Sequence, residues 1–207
     1  MKQLYLLNDN TDYSKKCIEL ALSFYYSLDI IDIDNKSTEN TFSMNFFNKF
    51  SGNNVFIAAD EQFFSMLRMN LLKVILSKKA FLINLISQNI RIPSHSILGK
   101  NIFIGDNVFL GENVVIGDGA IIDSRAIIMH NCIIGKGVFI GREAVIGSNS
   151  LIGSNTVIGS KVFIDSIKVG SKCKVFNMGR YSADIPTYTS FIENHSEPIT
   201  YRENLLC

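Results

Sequence analysis

The chain has 207 residues, with 47% hydrophobic and 19% charged side chains and a formal net charge of +1. That balance excludes a broad electrostatic footprint for nucleic acid or an anionic membrane. A chain this long buries roughly 70% of its unfolded surface and needs no covalent staples. The opening run MKQLYLLNDNTD is too short in apolar residues for a signal peptide, and no later run approaches a membrane span. Cys17, Cys132, Cys173 and Cys207 are scattered without CxxC spacing, which predicts reduced thiols in a cytoplasmic protein and no metal site.

Composition splits the chain near Arg91-Ile92-Pro93. Of 14 glycines only Gly52 precedes that point, whereas nine of 15 phenylalanines do. The first segment, 1–91, alternates strand and helix signals. Gln3–Leu7 reads as a strand and Asn8-Asp9-Asn10-Thr11 as a turn. Thr11 or Asp12 then caps a helix over about Ser14–Ser27. Asp29–Asp34 and Asn53–Ala58 read as strands, Asp60–Leu72 as a helix and Ala80–Ile86 as a further strand. Lys73–Ser77 fits either a strand or a helix end. This alternation predicts an α/β unit with a small parallel sheet.

The second segment repeats every six residues. Ile92, Leu98, Ile104, Leu110, Ile116, Ile122, Ile128, Ile134, Ile140, Ile146, Ile152, Ile158 and Ile164 fall on one grid. The next position is usually glycine. The slot three after each aliphatic favours Asn and Gly, which tolerate a left-handed backbone. Period six fits neither an amphipathic helix nor a hairpin array. It is the signature of a parallel β-helix, in which stacked coils bury one another's aliphatic rows. Three sides of six residues give 18 per coil and about four coils over 92–165, with a one-residue slip near Asp165-Ser166. Phe103, Phe109 and Phe139 each precede an inward position and are expected to face outward.

Among His95, His130 and His195, His130 stands where the repeat relaxes. The grid positions Ile122 and Ile128 are followed by Asp123 and Met129 instead of glycine. A histidine suits the removal of a proton from an amine or hydroxyl during acyl transfer. On register alone, a solvated corner residue explains it as well. Asn131 occupies the left-handed slot, stacked between Asn113 and Asn149, and reads equally as a turn asparagine. Glu112, one coil before His130, is a candidate carboxylate partner. The pair Asp32 and Asp34 ends the second strand, where solvated polar residues are the alternative to a ligand site. No GxSxG, Walker or EF-hand spacing occurs.

The stretch Ile127-Ile128-Met129-His130-Asn131-Cys132-Ile133-Ile134-Gly135, with Asp184-Ile185-Pro186 downstream, resembles the hexapeptide-repeat sugar acetyltransferases of the sialic-acid O-acetyltransferase and bacillosamine N-acetyltransferase type. The resemblance spans about residues 2–200. It implies a Rossmann-like nucleotide-sugar subdomain (1–91), a left-handed parallel β-helix (92–180) and a tail (181–207). It implies a cytoplasmic homotrimer with active sites between prisms, using acetyl-CoA and no metal, without nucleic-acid or membrane partners. By resemblance His130 is the catalytic base and Asn131 stands where relatives carry Asp or Glu. Acetyl-CoA contacts fall at Phe139, Ser148, Gly159, Ser160 and Asn177. The nucleotide sugar meets Asn8, Asp9, Asp32 and Asp34, although the usual glycine-rich turn is replaced by Asn8-Asp9-Asn10-Thr11. The implied activity is transfer of acetyl to a nucleotide-linked amino sugar for surface polysaccharide. The alternatives are O-acetylation of a sialic-acid-like sugar or polysaccharide unit, and a non-catalytic prism that binds a sugar nucleotide or a protein.

Overall fold

The computed structural model describes residues 3–24, 27–33, 46–59, 66–192 and 198–200. Asp34, His195 and Cys207 lie outside these residues.

The N-terminal unit is a four-stranded parallel sheet with order β2-β1-β3-β4. Its strands are β1 (Leu4–Asn8), β2 (Leu28–Asp32), β3 (Asn54–Ala58) and β4 (Phe81–Leu82). Helix α1 (Asp12–Phe24) joins β1 to β2 and α2 (Met66–Ser77) precedes β4. Lys73–Ser77 is therefore helix. Thr11 caps α1, its Oγ1 accepting the Ser14 N–H at 3.2 Å. The expected strand Ala80–Ile86 is two strands in two sheets. Phe81–Leu82 pairs with β3, and Leu85–Ile86 pairs with Phe103–Ile104 of the solenoid. The chain changes sheets at Ile83-Asn84, where Asn84 bonds the backbone of Gly99 and Ile102.

From Leu85 the chain winds into a parallel β-solenoid of about six turns. Face 1 carries Leu85–Ile86, Phe103–Ile104, Ile121–Ile122, Phe139–Ile140, Val157–Ile158, Lys174–Val175 and Thr189–Phe191. Face 2 runs from Phe109–Leu110 to Gly179–Tyr181, and face 3 from Ile97–Leu98 to Lys168–Val169. The aliphatic grid is the core: Ile104, Leu110, Ile116, Ile122, Ile128, Ile134, Ile140, Ile146, Ile152, Ile158 and Ile164 are all buried. Ladder partners lie one coil apart, as in Ile128 with Ile146. Past Ile164 the register shortens, so that Ile152 pairs with Val169. This is the predicted slip.

The three corners share one backbone and differ in side chains. Each left-handed slot has a φ near +60°: Asn113, Asn131 and Asn149 between faces 2 and 3, and Asn107, Arg125, Glu143 and Lys161 between faces 1 and 2. The corner between faces 3 and 1 reads Asn101, Gly119, Gly137 and Asn155. There α2 presses onto the solenoid. A Cβ on Gly119 would lie 2.8 Å from Leu72 Cδ1, and one on Gly137 would lie 3.1 Å from Met69 Cγ. The fully buried Arg68 spans the join, its Nη1 donating to Ala59 O at 2.6 Å and Nη2 to Gly137 O at 3.4 Å. Asn101, also fully buried, extends the sheet of the N-terminal unit. It accepts the Ile57 N–H at 2.7 Å and donates to Ile57 O at 3.1 Å. Two backbone groups that would otherwise be orphaned are thereby satisfied.

The N-terminal unit covers face 1. Leu4, Leu6, Tyr13, Cys17, Ala21, Phe56 and Ala58 form one cluster with Leu85, Phe103 and Ile121, and Phe139 packs against it. Phe103 is 3% exposed and meets the Tyr13 ring edge-on at 5.2 Å. The expectation of exposed phenylalanines therefore fails at Phe103. It points outward from the prism but into a neighbouring core, as Phe139 partly does. Phe109, on face 2, is 52% exposed as expected.

Candidate functional site

His130 stands at the corner between faces 2 and 3, opposite face 1 and its cover. Three backbone features fix it there. The His130 carbonyl accepts the Asn149 N–H at 2.9 Å, and the Asn131 N–H reaches Glu112 O at 2.9 Å. Gly111 lets the preceding coil close beneath it: a Cβ there would sit 2.6 Å from His130 N. The ring is exposed, and its Nδ1 accepts the Glu112 backbone N–H at 3.0 Å. Met129, in the usual glycine position, is a partly exposed apolar neighbour.

A cavity of about 310 Å³ opens beside the ring, lined by Asn89, Arg91, Phe109, Gly111, Glu112 and His130 among others. That volume lies at the lower end of small-molecule sites and suits one sugar ring rather than a whole nucleotide sugar. Sequence reasoning missed Arg91 and Asn89 here. The signal was present in the repeat, since Arg91 falls one 18-residue coil before Phe109, on the same outward row.

Asn131 turns away from His130. Its Oδ1 accepts from Asn113 Nδ2 at 3.0 Å, and its Nδ2 donates to Asn149 Oδ1 at 3.2 Å. It is a rung of an amide ladder, at a φ of 58°. Glu112 reaches His130 through its backbone amide. Cys132 lies beneath the corner, fully buried, with Sγ 3.1 Å from Gly147 O. Burial pushes its thiol above the usual range, which suits packing and not nucleophilic attack.

The residues assigned to acetyl-CoA are dispersed. Ser148 is one coil from His130 on the same edge and is half-buried. Gly159 and Ser160 line a second cavity of about 490 Å³ with Phe176 and Met178, at the corner between faces 1 and 2. Asn177 lies between those last two residues, and its carbonyl accepts from the Tyr181 hydroxyl at 2.9 Å. Phe139 is under the N-terminal unit and is not brought to His130.

At the carboxyl edge of the N-terminal sheet, Asn8 Nδ2 donates to Asp32 Oδ1 at 2.6 Å and to Asn10 Oδ1 at 2.8 Å. Asp9 accepts from the Thr11 hydroxyl at 2.7 Å and from the Thr11 N–H at 3.2 Å. Asn10, at a φ of 61°, makes the turn that glycine makes elsewhere. Asn8, Asp9 and Asp32 are thus together, on the side of the prism opposite His130. Asp34 lies outside the described residues. Among the described residues no cluster of His, Cys, Asp and Glu fit to hold a metal occurs, and no helix is long and apolar enough to cross a membrane.

Residues 85–178 match the family model described as the GMPPB C-terminal domain, just under half of the chain. No curated protein matches at the sequence level. Two solved structures share the fold over nearly all of both chains. PerB from Caulobacter crescentus, solved with CoA and GDP-perosamine, is 16% identical with a TM-score of 0.76, covering 92% of this chain and 93% of that one. The acetyltransferase domain of PglB from Neisseria gonorrhoeae is 19% identical with a TM-score of 0.77, covering 96% of this chain and 100% of that one. The chain therefore has the two-part, hexapeptide-repeat fold of solved sugar acetyltransferases.

Proposed function

We propose that the protein transfers an acetyl group from acetyl-CoA to the amine of a sugar carried on a nucleotide, in surface polysaccharide synthesis in the cytoplasm. The observation that carries this reading is the exposed ring of His130 at the mouth of a cavity of sugar size, on a scaffold that PerB and PglB share. In this reading the solenoid is left-handed and the four-stranded sheet is a Rossmann-like unit whose Asn8, Asp9, Asp32 and Asp34 edge holds the nucleotide. Ser148, Gly159, Ser160 and Asn177 lie along the acetyl-CoA path.

Geometry also supports assembly as a trimer. The nucleotide edge and His130 of one chain are on opposite sides of the prism, so a complete site takes parts from two copies. Both faces flanking His130 expose apolar rows, Phe109 and Ile127 on one and Ile97, Ile133 and Leu151 on the other. The third face is already covered.

The test is thiol release from acetyl-CoA with a panel of UDP-, GDP- and CMP-linked sugars, with His130→Ala as control. Turnover with an amino sugar, lost in the variant, is the expected result. Turnover only with hydroxyl acceptors supports the O-acetyltransferase alternative. CoA or nucleotide binding without any turnover supports the non-catalytic alternative, which the glycine-free turn at Asn8–Thr11 favours.

A further inference from the structure

Resting on that acetyl-transfer reading, we infer that His130 works as a hydrogen-bond donor through Nε2 and not as the base that takes the acceptor's proton. A neutral imidazole has one nitrogen that donates and one that accepts. The backbone N–H of Glu112 points at Nδ1 from 3.0 Å, so Nδ1 is the acceptor and the ring proton is on Nε2. The ring's lone pair is engaged by the scaffold. A carboxylate on Nδ1 would have fixed the opposite tautomer and left Nε2 free to accept. The next residue, Asn131, carries an amide and no carboxylate, and is held in the ladder with Asn113 and Asn149. Nε2 has no partner among the described residues and belongs to the ring that lines the cavity.

A neutral histidine held this way is an electrophile that polarises a carbonyl. The step balances without a protein base. A neutral amine attacks the thioester carbon, a C–N bond forms and the carbonyl electrons move to oxygen. The Nε2–H donates to that oxygen as charge develops. The carbonyl then re-forms, the C–S bond breaks, and the proton lost by nitrogen passes to the departing sulfur. The products are an amide and CoA thiol. A hydroxyl acceptor must lose its proton to attack, and with Nδ1 engaged that proton would have to go to a group other than the His130 ring, such as the Glu112 carboxylate in the cavity lining.

Glutamine at position 130 separates donor from base, because its carbonyl can accept the Glu112 N–H while its amide donates into the cavity. With the amino-sugar nucleotide that turns over best, His130→Gln is expected within about 10-fold of the wild-type kcat. His130→Ala is expected to fall by about 100-fold to 1,000-fold. Nitrogen-15 NMR of the unliganded protein is expected to show Nε2 protonated and Nδ1 bare. A Gln variant as slow as the Ala variant, with wild type active, overturns the donor role alone, and so does a ring protonated on Nδ1. A wild-type protein that acetylates nothing overturns the acetyl-transfer reading and the donor role with it.

Discussion

The corner that carries His130 and the corner that carries the N-terminal unit are built from the same repeat slot. Both turn at a φ near +60° every coil. On the first, Asn113, Asn131 and Asn149 bond to one another along an exposed edge. On the second, Gly119 and Gly137 remove side chains where α2 closes in, and Asn101 spends its amide on Ile57. The repeat sets the backbone, while what docks on each edge selects the side chain. One edge stays open and holds a ring; the other is sealed and holds a subdomain.

That contrast predicts effects of very different size. His130→Ala is expected to lower kcat by about 100-fold or more with an unchanged melting temperature, because the exposed ring packs against little. Gly137→Val forces a branched side chain into a left-handed turn and against Met69. It is expected to cost about 3 kcal/mol or more, with proteolysis striking the N-terminal unit first. Asn101→Gly keeps the left-handed turn but leaves the Ile57 N–H and C=O without their side-chain partner in a buried place. A loss of about 2–4 kcal/mol in denaturant unfolding is expected.

Asn131→Gly, the same kind of change on the open edge, is expected to cost less than about 1 kcal/mol, since glycine adopts the turn freely and the ladder faces water. Equal losses for Asn101 and Asn131 variants would erase the distinction between the edges.

The smallest effect is electrostatic. Asp118, on the sealed corner, is pushed up by burial. The Lys100 amide at 2.9 Å and the Lys136 ammonium at 3.0 Å outweigh that and hold its carboxyl below the ordinary value. A depressed folded value stabilises the fold above the unfolded value and loses that contribution as pH falls through the folded one. Asp118→Asn should thus cost under about 1 kcal/mol at neutral pH, a difference that fades as pH falls through the folded-state value.

The solenoid was legible because its signal is redundant: every coil repeats the same aliphatic, glycine and turn residue. Even the slip after Ile164 could be read from one missing residue. The split of Phe81–Leu82 from Leu85–Ile86 was not legible, since no turn residue but Asn84 interrupts an apolar run. The burial of Phe103 was hidden for a related reason. Alternation reveals which residues leave the prism, not what lies outside it. His130 was visible as a break in the glycine pattern. Its partner was not, because a backbone N–H one coil away leaves no mark in the sequence.

The open edge at His130 is where acetyl transfer is proposed to occur. His95 is an exposed histidine in the same solenoid, near the His130 cavity but not among the residues that line it, and serves as the matched control. Initial rates of thiol release from acetyl-CoA with an amino-sugar nucleotide would be compared for His130→Ala and His95→Ala. A loss of about 100-fold or more confined to His130→Ala is the predicted result. Equal rates for the two variants would contradict the account.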